Sequence, residues 1–405
     1  MKNAFLSMLM FVSVSNMFAQ YESPIKVKTK IGKGIEILQK DSLFALQFQF
    51  RMQNRAGYLS KSETDFTPEE FEFRVRRLRM KLKGWVYNPK FRYYIQLSFS
   101  RGDMDWDYTQ GSLYNTSPNL VRDAVFTYEP IKGLEFSLGQ TKLPGNRQRV
   151  TSSGDLQFAD RSIVNGTFTI DRDMGFFAKY DLKYIRLNAA VTSGEGRNSS
   201  QSDKGLNYTG RIDILPFGKF TNDNEMQEGD LEREQKPKLA IGVTYNYNAN
   251  ALRQGGTIGK DLYQKVDMQN LHIDLLFKYK GFAFLQEYCN RIANNPITVD
   301  ATNTKQRSTY VGYGGLSQVS YCFKNNFEIA ARYAFIHPYK SIYDNATYTT
   351  VNSKRTEEMA LGVTKYFYGH RLKVQGNLLY IRNEDFKNAT LSQKLGAILQ
   401  IEIGI

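Results

Sequence analysis

Only two cysteines, three histidines and ten prolines occur among the 405 residues. Two cysteines cannot build a disulfide framework, and three scattered histidines offer little to a base-assisted nucleophile. Scarce proline leaves long strands uninterrupted. Beyond the N-terminus no segment reaches the ~18 consecutive apolar residues a spanning helix needs, and the mean hydropathy of −0.48 would suit a water-soluble protein. Acid is missing too where cations crowd. From Phe73 to Arg101 there are nine Lys or Arg residues (Arg74, Arg76, Arg77, Arg79, Lys81, Lys83, Lys90, Arg92, Arg101) without one Asp or Glu.

Those cations alternate with apolar and aromatic residues at a spacing of two, the pattern of a strand with one oily and one cationic face. A face that basic cannot pack into a dry core, because unpaired buried charge is prohibitively costly, so it must look onto water. If the oily face looks onto lipid, that water is inside a pore. The N-terminus supports export: Met1-Lys2-Asn3, an apolar run from Ala4 to Phe18, then Ala19-Gln20 and a polar break read as a signal peptide over 1–19. With 26 Tyr, 27 Phe and alternation almost from end to end, an exported chain fits a closed barrel, whose alternating residues keep average hydropathy low.

Periodicity predicts sixteen strands, near 44–58, 71–87, 91–99, 121–130, 134–142, 172–180, 184–193, 206–217, 238–249, 269–280, 281–292, 307–323, 326–337, 357–368, 371–382 and 394–405. The second changes phase, from Phe71, Phe73 and Val75 outward to Leu78, Met80 and Leu82 outward. That requires a β-bulge near Arg76-Arg77, which keeps Arg74 through Lys83 on the inner side. Tight links at 130–133, 181–183, 324–325 and 369–370 alternate with long ones around 143–171, 194–205, 293–306 and 338–356. The fold expected is therefore an all-β, transmembrane antiparallel β-barrel spanning 43–405, with short periplasmic turns and long extracellular loops. Residues 20–42 read as a periplasmic arm or hairpin, and the apolar strand running to Ile405 closes the wall against the first strand. A soluble β-sandwich also alternates, but export, strands of ten or more residues and outward aromatics favour the barrel. In this register Cys289 and Cys322 lie toward opposite ends of neighbouring strands, too far apart for a disulfide.

Six fragments in order carry a resemblance to a known family: Phe73-Arg74-Val75-Arg76-Arg77-Leu78-Arg79, Asp123-Ala124-Val125-Phe126-Thr127-Tyr128-Glu129-Pro130, Leu138-Gly139-Gln140-Thr141-Lys142-Leu143-Pro144, Arg172-Asp173-Met174-Gly175, Gly210-Arg211-Ile212-Asp213-Ile214-Leu215-Pro216 and Ala330-Ala331-Arg332-Tyr333. Together they resemble the phosphate-selective porin O/P-type family, in the form common among Bacteroidetes-like bacteria. The resemblance implies a sixteen-stranded outer-membrane channel, usually a homotrimer, whose third long loop, here 143–171, folds inward. It further implies a ladder of lumenal arginines leading phosphate to a constriction that contains a lysine. Matching positions are Arg74, Arg76, Arg77 and Arg79 on the wall, and Lys142, Arg147 and Arg149 at the base of the loop, with Arg161 and Arg172 farther along it. Gly145-Asn146 follow Pro144 where relatives often continue with an aromatic and an acidic residue, which leaves the constriction's chemistry open.

Arginine suits an anion path, since its planar fork stays charged and binds phosphate or carboxylate oxygens in pairs. The anion-binding residues expected are Arg51, Arg55, Arg74, Arg76, Arg77, Arg79, Lys81, Lys142, Arg147 and Arg149, in a chain with 54 Lys plus Arg against 40 Asp plus Glu. Their partners are inorganic phosphate or other small anions, in a protein that also meets outer-membrane lipid and lipopolysaccharide. Lys238, Arg291, Arg332 and Lys373 have acids such as Asp274, Glu287 and Glu328 on neighbouring strands and read as cross-strand ion pairs. Enzymatic activity is not expected: His272, His337 and His370 show no spacing to a nucleophile. Asp103, Asp105 and Asp107 alternate like the first half of a calcium loop but lack its later glycine and glutamate, so neither metal nor cofactor is expected. Export argues against nucleic acid despite the basic balance. A weakly selective general porin, or a barrel that docks surface lipoproteins, are the alternatives.

Overall fold

The computed structural model describes residues 25–30, 32–39, 43–100, 120–199, 205–344, 348 and 353–405. The expected leader at 1–19 and the Asp103, Asp105 and Asp107 segment lie outside the described residues. A short hairpin, β1 (Lys26–Lys30) and β2 (Gly34–Leu38), precedes the wall. Sixteen antiparallel strands form that wall: β3 (Phe44–Ser60), β4 (Pro68–Val86), β5 (Phe91–Ser98), β6 (Val121–Ile131), β7 (Leu134–Lys142), β8 (Arg172–Asp181), β9 (Ile185–Thr192), β10 (Asn207–Ile214), β11 (Lys238–Arg253), β12 (Asp261–Tyr279) and β13 (Phe282–Ala293), then, after a small hairpin of β14 (Ile297–Val299) and β15 (Gln306–Ser308), β16 (Gly312–Cys322), β17 (Phe327–Pro338), β18 (Lys354–Tyr368), β19 (Leu372–Asp385) and β20 (Thr390–Gly404). Each pairs with its neighbour in sequence, and β20 closes on β3 from Gly396 opposite Leu59 to Gly404 opposite Arg51. The predicted strand 307–323 starts late, because Gln306–Ser308 folds back onto Ile297–Val299 and never joins the wall.

The phase change in β4 is a bulge at Arg76: Gln53 faces Arg77, while the next residue, Asn54, faces Val75. One unpaired residue lets Phe71, Phe73 and Val75 stay outside, with Phe73 80% exposed, while Arg77 and Arg79 are buried inside. Around the rest of the wall Phe126, Phe176, Ile212, Val243, Leu361, Leu378 and Leu399 form an exposed apolar belt, as a wall solvated by lipid requires. Where β20 ends, the hairpin takes over the free edge of β3. Ile35 faces Phe48 and Ile37 faces Leu46, which continues the apolar outer row. At the hairpin turn Gly34 has φ +80, and a Cβ there would lie 1.9 Å from the Phe48 carbonyl, so only glycine fits.

The interior is filled from both ends. Loop 143–171 turns inward and carries two short helices, α1 (Arg147–Val150) and α2 (Ile163–Phe168). The Ser162 side chain caps α2 by accepting from the Asn165 amide. Val164 and Phe168, four residues apart on one helical face, pack against Leu276, Leu285, Leu316 and Ala334 on the inner wall. From the opposite end the connection between β10 and β11, residues 215–237, also rises inward, although its place in the alternation calls for a tight turn. Phe220 joins the same apolar cluster, and Asn224, Glu225, Glu228, Asp230 and Glu234 are buried.

Cys289 faces Gly314 and Cys322 faces Glu328 across their strands, and both thiols are free and buried. A membrane-impermeant thiol reagent should therefore label neither in the folded barrel and both after denaturation. Labelling of the native form would show that this part of the lumen is open.

Candidate functional site

The lumen divides into a filled half along β10 to β19 and a cationic cavity along β4 to β7. In the filled half the loop's polar groups exchange hydrogen bonds with the wall. Arg147 donates to Asp274 (2.7 Å) and Asp213 (2.8 Å), and Arg211 donates to the same two carboxylates. Buried clusters of this kind resist removal of one partner by about 3–5 kcal/mol, so Arg147 anchors the loop. Glu287 accepts from Asn146 and from the Gln148 amide, and Glu328 accepts from Gln157 and Tyr366. Asp274, Glu287 and Glu328 thus do not pair with the four cations set against them, but cross-strand pairing holds for two of those cations with other acids: Arg332 pairs with Glu358 on β18, and Lys373 with Glu402 directly opposite on β20. Arg291 donates to Asn270 and to the loop carbonyls of Thr167 and Thr169, and Lys238 to the carbonyls of Phe217 and Lys219. The inner wall spends its charge on holding inserted chain.

The two insertions brace each other through Glu228. Its carboxylate accepts from Gln148 Nε2 (2.9 Å), the Gln157 amide (3.0 Å) and Gln318 Nε2 (3.1 Å), and its own amide donates to the Asp155 carbonyl. Lys278 fixes the segment from the wall by donating to the Asn224 and Gln227 carbonyls, and Arg186 pairs with Glu225 at 3.0 Å. Glu228→Ala should leave a heat-modifiable barrel but free the loop tip, raising open-channel current noise several-fold. Quiet currents identical to wild type would show that the brace is dispensable.

The cavity is lined by Arg79, Lys81, Tyr94, Gln96, Arg122, Asp123, Thr141, Lys142, Arg149, Ser152, Ser153, Arg161 and Arg172, with a volume of about 230 Å³. Seven cations thus face one carboxylate. At roughly 30 Å³ per water, such a space accommodates a small oxyanion with part of its hydration shell. The loop forms one side of it: Lys142 Nζ donates to the Val150 carbonyl (3.0 Å), and Arg161 to the Gln148 and Thr151 carbonyls. Asp123 is held by both ends of Arg172, at 2.9 and 3.0 Å. Burial brings the Arg161 guanidinium down to about 10, opposed by the Glu228 carboxylate and reinforced by the fields of Arg172, Arg51 and Arg122, so that it is still charged at neutral pH.

Of the residues expected from sequence, Arg79, Lys81, Lys142 and Arg149 line this cavity, and Arg149 also pairs with Asp171. Arg51 lies beside it, donating to Ser153 Oγ at 2.8 Å and facing Glu402 at 3.6 Å. Arg55, Arg76 and Arg77 meet the Asp160 carboxylate at 2.5, 3.3 and 3.5 Å. Burial opposes ionisation of Asp160, but the Arg55 hydrogen bond and the fields of Arg76 and Arg77 outweigh it and hold the carboxyl well below the usual range. Arg74 is half exposed and paired with Glu72, and Arg147 belongs to the filled half. Sequence reasoning missed Arg122, whose neighbour in sequence, Asp123, is held by Arg172. It also missed the 215–237 insertion, whose five acids from Glu225 to Glu234 stand out in a chain of net charge +14.

The family model of phosphate-selective porin O and P matches residues 46–255. A curated protein of Aquifex aeolicus (strain VF5), described as uncharacterized, is 22% identical over 385 residues, 86% of each chain. Among solved structures, an anion-selective porin from Comamonas acidovorans superposes with a TM-score of 0.55 at 10% identity, covering 89% of this chain and 100% of its own. A Salmonella typhi OmpF complex with daunomycin gives 0.55 at 12% identity, over 91% and 100%. Identities this low show a shared fold.

Proposed function

This chain belongs to the phosphate-selective porin O and P family, and from that premise we propose that its lumen passes small anions passively, phosphate or related inorganic anions among them. The protein is a porin of the bacterial outer membrane. The observation that carries the anion reading is the cavity in which seven cationic side chains face one carboxylate, walled off by the inserted loop. Rings of Arg and Lys in a narrow, low-dielectric passage set anion preference, provided each site releases its ion to the next. The flow makes and breaks no bond, so the expected activity is transport without catalysis. Arg79, Lys81, Arg122, Lys142, Arg149, Arg161 and Arg172 are the proposed conduit, with Arg51, Arg55, Arg76 and Arg77 feeding it from the loop end.

The test is phosphate block of chloride current through single channels in a planar bilayer. Concentration-dependent block would support oxyanion binding in the cavity; chloride current indifferent to phosphate would reduce the reading to a weakly selective pore. One observation favours a different class: lumen filled from both ends also suits a barrel that docks surface lipoproteins, and complete lack of conductance would favour it. We also propose a homotrimer, supported by the OmpT trimer form of Vibrio cholerae among the fold neighbours, at a TM-score of 0.50.

A further inference from the structure

The end of the wall that carries the tight turns is cationic outside the lumen as well. Six of its seven connections present an exposed lysine: Lys90, Lys132, Lys183, Lys219, Lys280 and Lys324. The seventh, between β18 and β19, carries the partly buried Arg371. Backbone hydrogen bonds tie successive turns into one rim, the Glu129 amide donating to Lys90, the Asp181 amide to Gly133 and the Leu215 amide to Tyr184. Turns two strands apart stand roughly 10 Å from each other, about one Debye length, so their fields merge. Acids of the wall at this end are already engaged: Glu129 and Glu135 face Arg92 at 3.3 and 3.2 Å, and Asp181 faces Lys219 at 2.9 Å. Asp223 and Glu232 are exposed, but on the 215–237 insertion. The opposite rim mixes its signs, with Glu63, Asp65 and Glu70 around Lys61.

Two cations of this rim lie over aromatic rings of the lipid-facing rows, Lys280 Nζ 5.1 Å from the centre of Tyr279 and the Arg233 guanidinium 5.7 Å from that of Tyr321. Tyr279 continues the outer row of Leu271 and Ile273, and Tyr321 that of Val319 and Phe323. Gly281 makes room between them: with φ +95 it leaves no Cβ where the Arg233 side chain lies. The nearest acids, Asp230 and Glu234, are buried on the lumen side, where Asp230 accepts from the Gly281 and Glu234 amides and Glu234 from Thr221. A cation held over a lipid-facing ring at the water boundary sits in the headgroup layer.

We propose that this rim is a docking surface for the phosphates of anionic phospholipids in the periplasmic leaflet, with Lys280, Arg233 and Lys324 as its strongest corner. A soluble polyanion would meet the turn tips from below, whereas cations stacked on outward rings face lipid. Each lysine near an anionic surface favours it by about fivefold, and the lysines act together around one rim. The inference rests on the barrel fold and stands whatever ion the pore passes.

The experiment incubates the full-length barrel in mild detergent with equal amounts of phosphatidylglycerol and phosphatidylcholine of the same acyl chains, and counts the lipids retained by native mass spectrometry. The wild type should retain the anionic lipid in preference. Lys132→Gln, Lys183→Gln, Lys280→Gln and Lys324→Gln together should cut that preference by about fivefold or more, at least the factor of one lysine. The same exchange at four exposed lysines of the opposite rim, Lys61, Lys260, Lys305 and Lys340, should leave it near wild type. Heat-modifiable migration on gels confirms that each barrel is folded. Equal retention of the two lipids by the wild type, or a preference that survives the periplasmic exchange, overturns the proposal. A preference lost equally in both variants assigns it to overall charge and overturns the proposal too.

Discussion

Lys81→Glu combined with Lys142→Glu should lower the anion-to-cation permeability ratio by about tenfold or more, the scale on which charged, low-dielectric clefts concentrate ions. Both side chains line the cavity. Among the lining side chains seven cationic groups face one carboxylate, with Asp171 behind Arg149 and Arg172 offsetting a further charge, and the double change replaces two of those cations by two acids. Neither lysine makes a direct ion pair among the described residues, and the buried acids in their fields keep other cations nearby, Asp123 being held by Arg172; the hydrogen bonds of Lys142 go to the Val150 and Thr151 carbonyls, which can turn to lumenal water. The same charge change at exposed positions outside the cavity, Lys61→Glu with Lys132→Glu, is the control and should move the ratio little. Reversal potentials in a salt gradient decide the matter. If the two pairs of substitutions act alike, selectivity comes from overall charge and the cavity has no special part in it.

Truncation after Lys394 should abolish the folded barrel. All nine pairs between β20 and β3 begin at Gly396, so the loss of Leu395 to Ile405 removes the seam. Two strand edges would then face hydrocarbon, where each unsatisfied backbone group costs several kcal/mol. The β1–β2 hairpin cannot substitute, because it covers only Ala45 to Phe48 of the β3 edge. The expected outcome is a chain that migrates at one position on gels with or without heating. A heat-modifiable truncated form would show that the wall closes by another pairing.

The closing strand was legible because Leu395, Ala397, Leu399, Ile401, Ile403 and Ile405 alternate without interruption, and a lipid-facing row leaves that trace wherever it occurs. The bulge at Arg76 was legible for the same reason: a phase slip in the oily row has no other cheap explanation. The contents of the lumen left no comparable trace. Loop 143–171 and segment 215–237 are held by buried pairs between residues far apart in the chain, such as Gln157 with Glu328 and Gln148 with Glu228, and no local period encodes them. Basic stretches showed which strands face water but not where their charges end. Arg77 and Arg79 are buried inside, whereas Arg74, on the same strand, is half exposed beside Glu72. The acid that meets Arg76 and Arg77 comes from Asp160, more than eighty residues along the chain, so a window without Asp or Glu did not mean a face without partners.

Whether the cavity along β4 to β7 makes this barrel an anion pore, as we propose, turns on the zero-current potential of the wild-type channel between unequal concentrations of potassium chloride. The expected potential has the sign of chloride carrying most of the current, and it weakens as salt is raised and the cations are screened. A potential of the opposite sign would overturn the anion-pore proposal.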